Sequence, residues 1–166
     1  MITDRAGVIR PTFYNHFVDK YEVLEWVCYK DIFEGLKLLV DNDMLSEAIK
    51  LLFAKIEHHE AFYLKAVRVQ GQNAFQDIFH KQIAEIIEQA FERHHERDII
   101  HTKKIVHNKV FTPHAIASYY AQGLTYIIET WLLKGLPINT EEMTKAYYIL
   151  ATQTMEDMIE KGIWQF

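Results

Sequence analysis

Apolar residues recur every three or four positions along most of the chain, which is the spacing of one face of an α-helix. Three prolines and six glycines leave few interruptions, and these fall between the periodic stretches. No alternation of polar and apolar residues is long enough to predict a strand. The pattern therefore predicts an all-α protein with helices at about 19–41, 43–56, 60–69, 73–95, 112–134 and 140–161.

Local signals mark the helix boundaries. Asp19 and Glu22 have the spacing of a capping box, so a long helix is predicted to begin at Asp19. Thr112 before Pro113 predicts another start, and Gly135 predicts the matching end. The other predicted caps are Asp43, Asn73 and Thr140, and the apolar stripe of the first long helix is Leu24, Cys28, Ile32, Leu36 and Leu39. The stretch 97–111 is polar and non-periodic, which predicts a long loop.

Composition and charge narrow the class of protein. The 166 residues are 49% hydrophobic, which is enough for one compact domain. Cys28 is the single cysteine, so an internal disulfide is excluded and a cytoplasmic protein is expected. No apolar run reaches the ~20 residues of a membrane helix. The net charge is −5, but residues 1–20 carry three basic residues against two acidic ones, so only this tip is expected to be drawn toward phosphates.

The segment 6–17 carries the functional signal. Gly7 offers the left-handed backbone that a tight turn between two helices needs, and a short helix is predicted at about 10–17. Phe13 and Phe17 share the inner face of that helix. The polar residues left for the other surface are Arg10, Thr12, Tyr14 and His16. A turn followed by such a helix is what recognition in the major groove requires, although an ordinary surface helix with aromatic anchors fits the same spacing.

A family resemblance is carried by Ala6-Gly7-Val8, by Thr12-Phe13-Tyr14-Asn15-His16-Phe17 and by Asp19-Lys20. These residues are similar to the turn, recognition helix and following helix start of the tetracycline-repressor family of transcription regulators. The resemblance implies base contacts from Arg10 and Pro11. It implies phosphate contacts from Thr12, Tyr14, His16 and Lys20. Ile9 departs from the pattern, since many members have a small capping residue there.

The resemblance also implies a domain division. The family has a first helix and most of a second one before the position that matches Met1. Residues 1–18 are therefore expected to be a remnant of a helix-turn-helix DNA-binding domain, and residues 19–166 an effector-binding and dimerisation domain. Without those helices the short recognition helix loses packing partners. This chain is expected not to bind DNA specifically, whereas a form extended upstream is expected to bind it.

A second, weaker resemblance covers the C-terminal half. Its residues are Tyr119-Tyr120-Ala121, Gly123-Leu124, Trp131-Leu132, Gly135-Leu136-Pro137 and Glu142-Met143. They are similar to the last two helices of many members, which form a four-helix dimer interface, so a homodimer is implied. Apolar residues also cover most of the circumference of helix 112–134, and such a surface usually contacts a second subunit. Within the family the chain most resembles a Gram-positive subgroup that includes activators of dihydroxyacetone-kinase operons and a zinc-responsive activator.

The family resemblance implies an effector pocket among the central helices. In the family an effector moves the helix that begins near Asp19 and so changes the spacing of the two DNA-binding headpieces. The effector is expected to be a small organic molecule or a protein co-regulator, and no cofactor is expected. The candidate lining residues, each of which fits plain core equally well, are Phe53, Ile56, Phe62, Phe79, Ile83, Phe91, Tyr119 and Tyr126.

Nine histidines raise the alternative of a metal site. Asp77-x-x-His80 and Glu92-x-x-His95 echo an element of di-iron bundles, but both lie on one predicted helix, ~22 Å apart, and cannot share a metal within one subunit. The candidate ligands of a regulatory metal are His58, His59, Glu60, His80, His94, His95, His101 and His107. No nucleophile or phosphate-binding loop has a recognisable setting, so no enzyme is predicted. A metal-responsive regulator and a helical interaction module without DNA binding stay open as alternatives.

Overall fold

The computed structural model describes residues 7, 10–69, 75–98 and 109–162 of the chain. Within these residues every regular element is a helix, so the predicted all-α class is confirmed. The elements in chain order are α1 (Arg10–Tyr14), α2 (Lys20–Cys28), a π segment (Tyr29–Phe33), α3 (Glu34–Asp41), α4 (Leu45–His58), α5 (Glu60–Val67), α6 (Phe75–Asp98), α7 (Pro113–Leu133), α8 (Thr140–Thr152) and α9 (Met155–Glu160). None of the described helices is long and apolar enough to span a bilayer.

α2, the π segment and α3 follow one another without a break, and together they are called the connecting helix. It begins where the capping signal predicts. The Asp19 carboxylate accepts hydrogen bonds from the backbone N–H groups of Tyr21 and Glu22 at 2.8 and 2.9 Å. The Glu22 carboxylate accepts a hydrogen bond from the N–H of Val18, one residue before the cap. These bonds satisfy donors that a helix start leaves without a helical partner.

The π segment widens the middle of the connecting helix and was not predicted. There the Glu34 N–H donates to the carbonyl of Tyr29, five residues earlier. The wider turn lies on the buried side of the connecting helix, where Cys28, Ile32, Phe33 and Leu36 are all buried.

The predicted cap of α4 is wrong. Asp43 adopts a left-handed backbone with φ of 59° in the turn, and Met44 precedes the first helical residue, Leu45. Leu45 is 60% exposed, and the buried face begins at Ala48.

The end of the chain also differs from the prediction. Asn139, not Thr140, caps α8: its side-chain oxygen accepts from the Glu142 N–H at 3.0 Å, and Glu142 accepts from the Asn139 N–H at 3.1 Å. The predicted last helix is divided into α8 and α9, because Thr154 and Asp157 form a second capping box inside it. A local capping motif therefore overrides the continuing helical pattern.

The bounds of α7 are confirmed. The Thr112 hydroxyl accepts from the Ala115 N–H at 3.1 Å, and Pro113 occupies the first turn. Gly135 has φ of 74° after the last turn, as a glycine stop requires. α6 extends to Asp98, beyond the predicted end. The predicted cap Asn73 and residues 99–108 of the predicted loop lie outside the described residues.

α6 and α7 pack along each other at the centre of the protein, and the connecting helix, α4 and α5 pack around them. Phe79 lies at a junction of this core. Its ring centroid is 5.0 Å from Phe33, 6.1 Å from Tyr63 and 4.0 Å from Phe75. α8 packs on α4. The connecting helix therefore leads from the N-terminal segment directly into the core.

Candidate nucleic-acid interface and its link to the core

The N-terminal segment is a turn followed by a short helix. Gly7 has φ of 66°, the left-handed conformation that the turn was predicted to need. α1 ends at Tyr14, earlier than predicted, although the Phe17 N–H still donates to the Phe13 carbonyl at 2.9 Å. Phe13 and Phe17 are half-buried with centroids 5.7 Å apart, and Phe17 lies 6.1 Å from Trp26. These aromatic contacts attach α1 to α2.

The residues that the family resemblance assigns to DNA lie around this helix. Pro11, Tyr14, His16 and Lys20 are exposed, and Thr12 is half-buried. The Lys20 ammonium lies 4.9 Å from the centroid of the neighbouring Tyr21 ring. The Arg10 side chain lies outside what the structure describes. The described groups offer hydroxyl, imidazole and ammonium donors at the surface, which are groups that contact phosphates.

The eight candidate pocket residues divide into a buried set and an exposed set. Phe53, Ile56, Phe79 and Ile83 are buried, and Phe62, Phe91, Tyr119 and Tyr126 are exposed. The two tyrosines differ most from the expectation, with 75% and 65% of their surface exposed. α7 is apolar on two sides, and the core takes the side that carries Ala117, Ala121, Leu124 and Ile128.

One buried polar residue was not among the candidates. Thr125 lies on α7 and is 1% exposed, and its hydroxyl has no hydrogen-bond partner among the described residues. A buried hydroxyl without a partner costs free energy. Thr125 is therefore a polar side chain of the described core that lacks a hydrogen bond.

A polar cluster links the connecting helix to α4 and α5. Asp31, in the π segment, accepts three hydrogen bonds: from the Lys55 ammonium at 3.1 Å, from His59 Nδ1 at 2.9 Å and from the Tyr63 hydroxyl at 2.7 Å. Only 16% of the Asp31 side chain is exposed. Asp31, Lys55, His59 and Tyr63 are called the Asp31 cluster. Sequence reasoning missed it, apart from naming His59 as a possible metal ligand.

The Asp31 cluster holds its carboxylate in the ionised form. Burial by itself raises the pKa of Asp31, but the hydrogen bonds from Tyr63, His59 and Lys55 outweigh it and bring that pKa below its ordinary value of 3.8. Burial and the adjacent carboxylate raise the pKa of Tyr63, so its hydroxyl stays a donor. Burial, followed by the charges of Asp31 and Glu25, raises the pKa of the Cys28 thiol to about 12. That buried thiol stays protonated and unreactive.

Two further ion pairs link the ends of the connecting helix to α6. Near its start, Lys81 Nζ lies 3.1 Å from Glu25 Oε1, with both groups substantially exposed. Near its end, Arg93 pairs with the Asp41 carboxylate and donates to the Val40 carbonyl at 3.3 Å. The connecting helix is thus held to the surrounding helices at its two ends and at the π segment.

Exposed apolar side chains lie on the last three helices. On α7, Tyr119 and Tyr126 lie on one face of the helix and are exposed. Gly123 lies between them, and a Cβ added there would have no atom within 4 Å. The other members of this set, called the C-terminal apolar residues, are Tyr120, Leu133, Tyr148, Leu150, Met155 and Ile159. Large apolar groups in such number at a surface are typical of contacts with another protein.

The described histidines do not form a metal site. Among the described residues no group of three or more histidine, cysteine or acidic side chains is placed to hold a metal ion. His58 and His59 have ring centroids 4.6 Å apart, but His59 is bonded to Asp31 and lies in the cluster above. His101, His107 and the side chains of His94 and His95 lie outside what the structure describes.

Comparison with known proteins identifies the family. A sequence model of the TetR-type "transcriptional regulator C-terminal region" matches residues 43–153, more than half of the 166 residues, and spans α4 to α8. No curated protein sequence matches the chain. The matched region begins directly after the connecting helix and includes Thr125 and the exposed tyrosines of α7. The chain therefore belongs to the TetR family of transcriptional regulators.

Proposed function

We propose that this protein is a DNA-binding transcription regulator that acts as a homodimer, and that an effector bound in its C-terminal domain controls its affinity for an operator. The observation that carries the proposal is the family match over residues 43–153. It covers the helices that would bind the effector and the partner subunit, and the connecting helix joins them to the N-terminal segment. The DNA-binding part of the proposal rests on that segment.

The N-terminal segment supports DNA binding by its form and its exposed groups. A left-handed Gly7 precedes α1, and the sequence there is similar to the recognition helix of the family. Tyr14, His16 and Lys20 are exposed beside it. We assign Arg10 and Pro11 to base edges and the exposed hydroxyl, imidazole and ammonium groups to phosphates, which fix register without reading sequence.

The C-terminal apolar residues support a homodimer. A two-fold dimer buries the same surface of both subunits, so tyrosines exposed along α7 would meet their own copies or the neighbouring α8 and α9. Two headpieces held by one dimer would read two half-sites of a symmetric operator. We expect this interface to bury at least ~1,000 Å² in total.

The buried interior of α7 supports an effector of mixed character. The core around α6 and α7 is apolar and aromatic, and Thr125 contributes a hydroxyl with no partner within it. A small organic molecule that is mostly apolar and carries one hydrogen-bonding group fits such surroundings. The sequence resemblance supports a finer proposal, that the protein belongs to the subgroup with activators of dihydroxyacetone-kinase operons. A protein co-regulator is the alternative effector.

The test is selection of duplexes from a random library by the full-length product of the gene, followed by titration against the selected duplex and a scrambled one. Sequence-selective binding supports the proposal. In the same assay Lys20→Ala should weaken both duplexes alike and lower the slope of log affinity against log salt by about 1, because a phosphate contact is lost. Lys65→Ala, an exposed lysine on α5, is the matched control and should change neither.

Two outcomes would contradict the proposal. A protein that dimerises but selects no duplex would be the helical interaction module instead. Equal effects of Lys20→Ala and Lys65→Ala would remove the assignment of Lys20 to a phosphate.

A further inference from the structure

We propose that the Asp31 cluster holds the π segment in its register and thereby sets the orientation of the DNA-binding end of the connecting helix, so that Asp31 is a positioning residue for operator binding. The inference rests on the proposed function. To that function the inference adds a specific regulatory site, which is built from Asp31, Lys55, His59 and Tyr63.

The Asp31 cluster joins three separate parts of the chain. One carboxylate in the π segment receives hydrogen bonds from α4, from the residue between α4 and α5, and from α5, all within 3.1 Å. A charged acceptor with three donors is worth more than a neutral hydrogen bond, and its loss leaves the buried Tyr63 hydroxyl without this partner. The cluster therefore fixes the position of this one turn relative to two other helices.

The turn that the cluster fixes is of an unusual kind. π turns are rare, occur mostly as single bulges inside α-helices, and are frequent at functional sites. The bond from the Glu34 N–H to the Tyr29 carbonyl spans one residue more than an α-helical bond. If that turn reverted to α-helical bonding, the helix before it would rotate by about 100° relative to the helix after it, since each residue accounts for that angle.

The two ends of the connecting helix differ in burial. After Cys28, Ile32, Phe33 and Leu36 are buried, and the Phe33 ring packs on Phe79 at 5.0 Å. Within α2, Cys28 is the one buried residue, and Trp26 is 53% exposed. A change of register at the π segment would therefore move α2 and the attached α1 rather than the core. An element with two discrete arrangements is the physical requirement for coupling between distant sites.

The experiment measures operator affinity of the full-length protein with Asp31→Asn, with Tyr63→Phe, and with Asp41→Asn as the matched control. Asp41→Asn makes the same chemical change on the same helix and breaks the pairing with Arg93, but it lies beyond the π segment. We expect Asp31→Asn to weaken operator binding at least ~10-fold, within the range of typical coupling between sites, and Tyr63→Phe to weaken it in the same direction. Asp41→Asn should leave the operator affinity within about twofold of that of the unaltered protein.

Amide hydrogen exchange supplies a readout that loss of stability alone would not give. In Asp31→Asn the amides of residues 29–34 should exchange faster at neutral pH, while those of α6 stay protected. Equal or tighter operator binding by Asp31→Asn, or equal weakening by Asp41→Asn, overturns the proposal. If the unaltered protein selects no duplex, the proposed function fails. If the unaltered protein selects a duplex and Asp31→Asn binds that duplex with the same affinity, only the present inference fails.

Discussion

Two polar side chains enclosed by the helices are in opposite situations. Thr125 is buried and has no partner for its hydroxyl, whereas the Asp31 carboxylate is satisfied by three donors. In the absence of a ligand, the Thr125 hydroxyl lowers the free energy of unfolding, whereas the bonded Asp31 carboxylate raises it. This difference determines whether a substitution at each residue should raise or lower the free energy of unfolding.

Thr125→Val should raise the free energy of unfolding by about 1 kcal/mol, because valine keeps the shape of threonine and removes a buried hydroxyl that bonds to nothing. Thr112→Val is the matched control on the same helix. It removes the cap that accepts from the Ala115 N–H and should lower the free energy of unfolding by about 1 kcal/mol. Urea denaturation measures both. A loss of stability in Thr125→Val would show that its hydroxyl has a partner after all.

Asp31 should make stability depend on pH in the acid range. Because its pKa in the folded protein lies below 3.8, its contribution is fully present above that value and is lost as the pH falls through the folded-state pKa. Asp31→Asn should therefore lower the free energy of unfolding by about 1–3 kcal/mol at pH 7, with a smaller difference from the unaltered protein at pH 3. Urea denaturation at the two pH values tests it. If Asp31→Asn lowers the free energy of unfolding equally at pH 7 and pH 3, the stabilising role of the ionised Asp31 carboxylate is contradicted.

Sequence reasoning could not find the Asp31 cluster for a physical reason. The partners of Asp31 follow it by 24, 28 and 32 residues, and they meet it only after α4 folds back along the connecting helix. Caps such as Asp19 and Thr112 involve neighbours two or three residues away, and these were predicted correctly.

At the scale of the helical element, the caps predicted at Asp19 and Thr112 were correct, and two other caps were displaced by one residue. Asp43 and Thr140 each stand beside the residue that takes the cap position, and Thr154 interrupts a helix that the apolar pattern continued. The apolar pattern did not indicate the π segment. Buried residues at intervals of four, as at Cys28, Ile32 and Leu36, also occur in α4, a plain α-helix, at Ala48, Leu52 and Ile56.

Gly35, the second residue of α3, allows the connecting helix to approach α4. A Cβ there would lie 2.9 Å from Leu51 Cδ2. Gly35→Ala gains up to about 1 kcal/mol of helix propensity, offset by the shift that Leu51 must make, so its net effect should be small. Gly35→Val adds methyl groups in a packed position and should lower the free energy of unfolding by about 1–3 kcal/mol.

The contact with Leu51 can be separated from a backbone effect by a double-mutant cycle. Leu51→Ala removes the obstructing methyl, so Gly35→Val should cost less in that background than in the unaltered protein. Additive effects of the two substitutions, measured by urea denaturation, would show that the Gly35 position is limited by something other than Leu51.

At the scale of the whole molecule, the class of fold and the family followed from the sequence, but the arrangement of the core did not. Phe53 and Phe79 were both assigned to one pocket. Both are buried in the core, where Phe53 packs on Trp131 and Tyr147, and Phe79 packs on Phe33 and Phe75. Helical periodicity indicates that a side chain faces inward but not which neighbours it will meet. On a helix that is apolar on two sides it does not decide which side faces the core.

The second apolar side of α7 leads to a prediction about assembly. Tyr119 and Tyr126 are largely exposed, so replacing them should leave the folded subunit intact. Tyr119→Glu combined with Tyr126→Glu should convert a dimer at micromolar concentration into a monomer, because four carboxylates would have to be buried across a two-fold interface. Sedimentation velocity measures the change, and circular dichroism checks that helix content is kept.

The matched control for the dimer prediction places the same charges on exposed leucines far from α7 in sequence. Leu38 and Leu45, on α3 and α4, are 64% and 60% exposed, and Leu38→Glu with Leu45→Glu should leave the dimer intact. The loss of the dimer should also weaken binding to a two-half-site operator more than binding to a single half-site, since linked headpieces gain affinity from each other only on the longer duplex. A tyrosine double variant that remains dimeric would place the subunit interface elsewhere on the molecule. A control variant that dissociates would place that interface at α3 and α4.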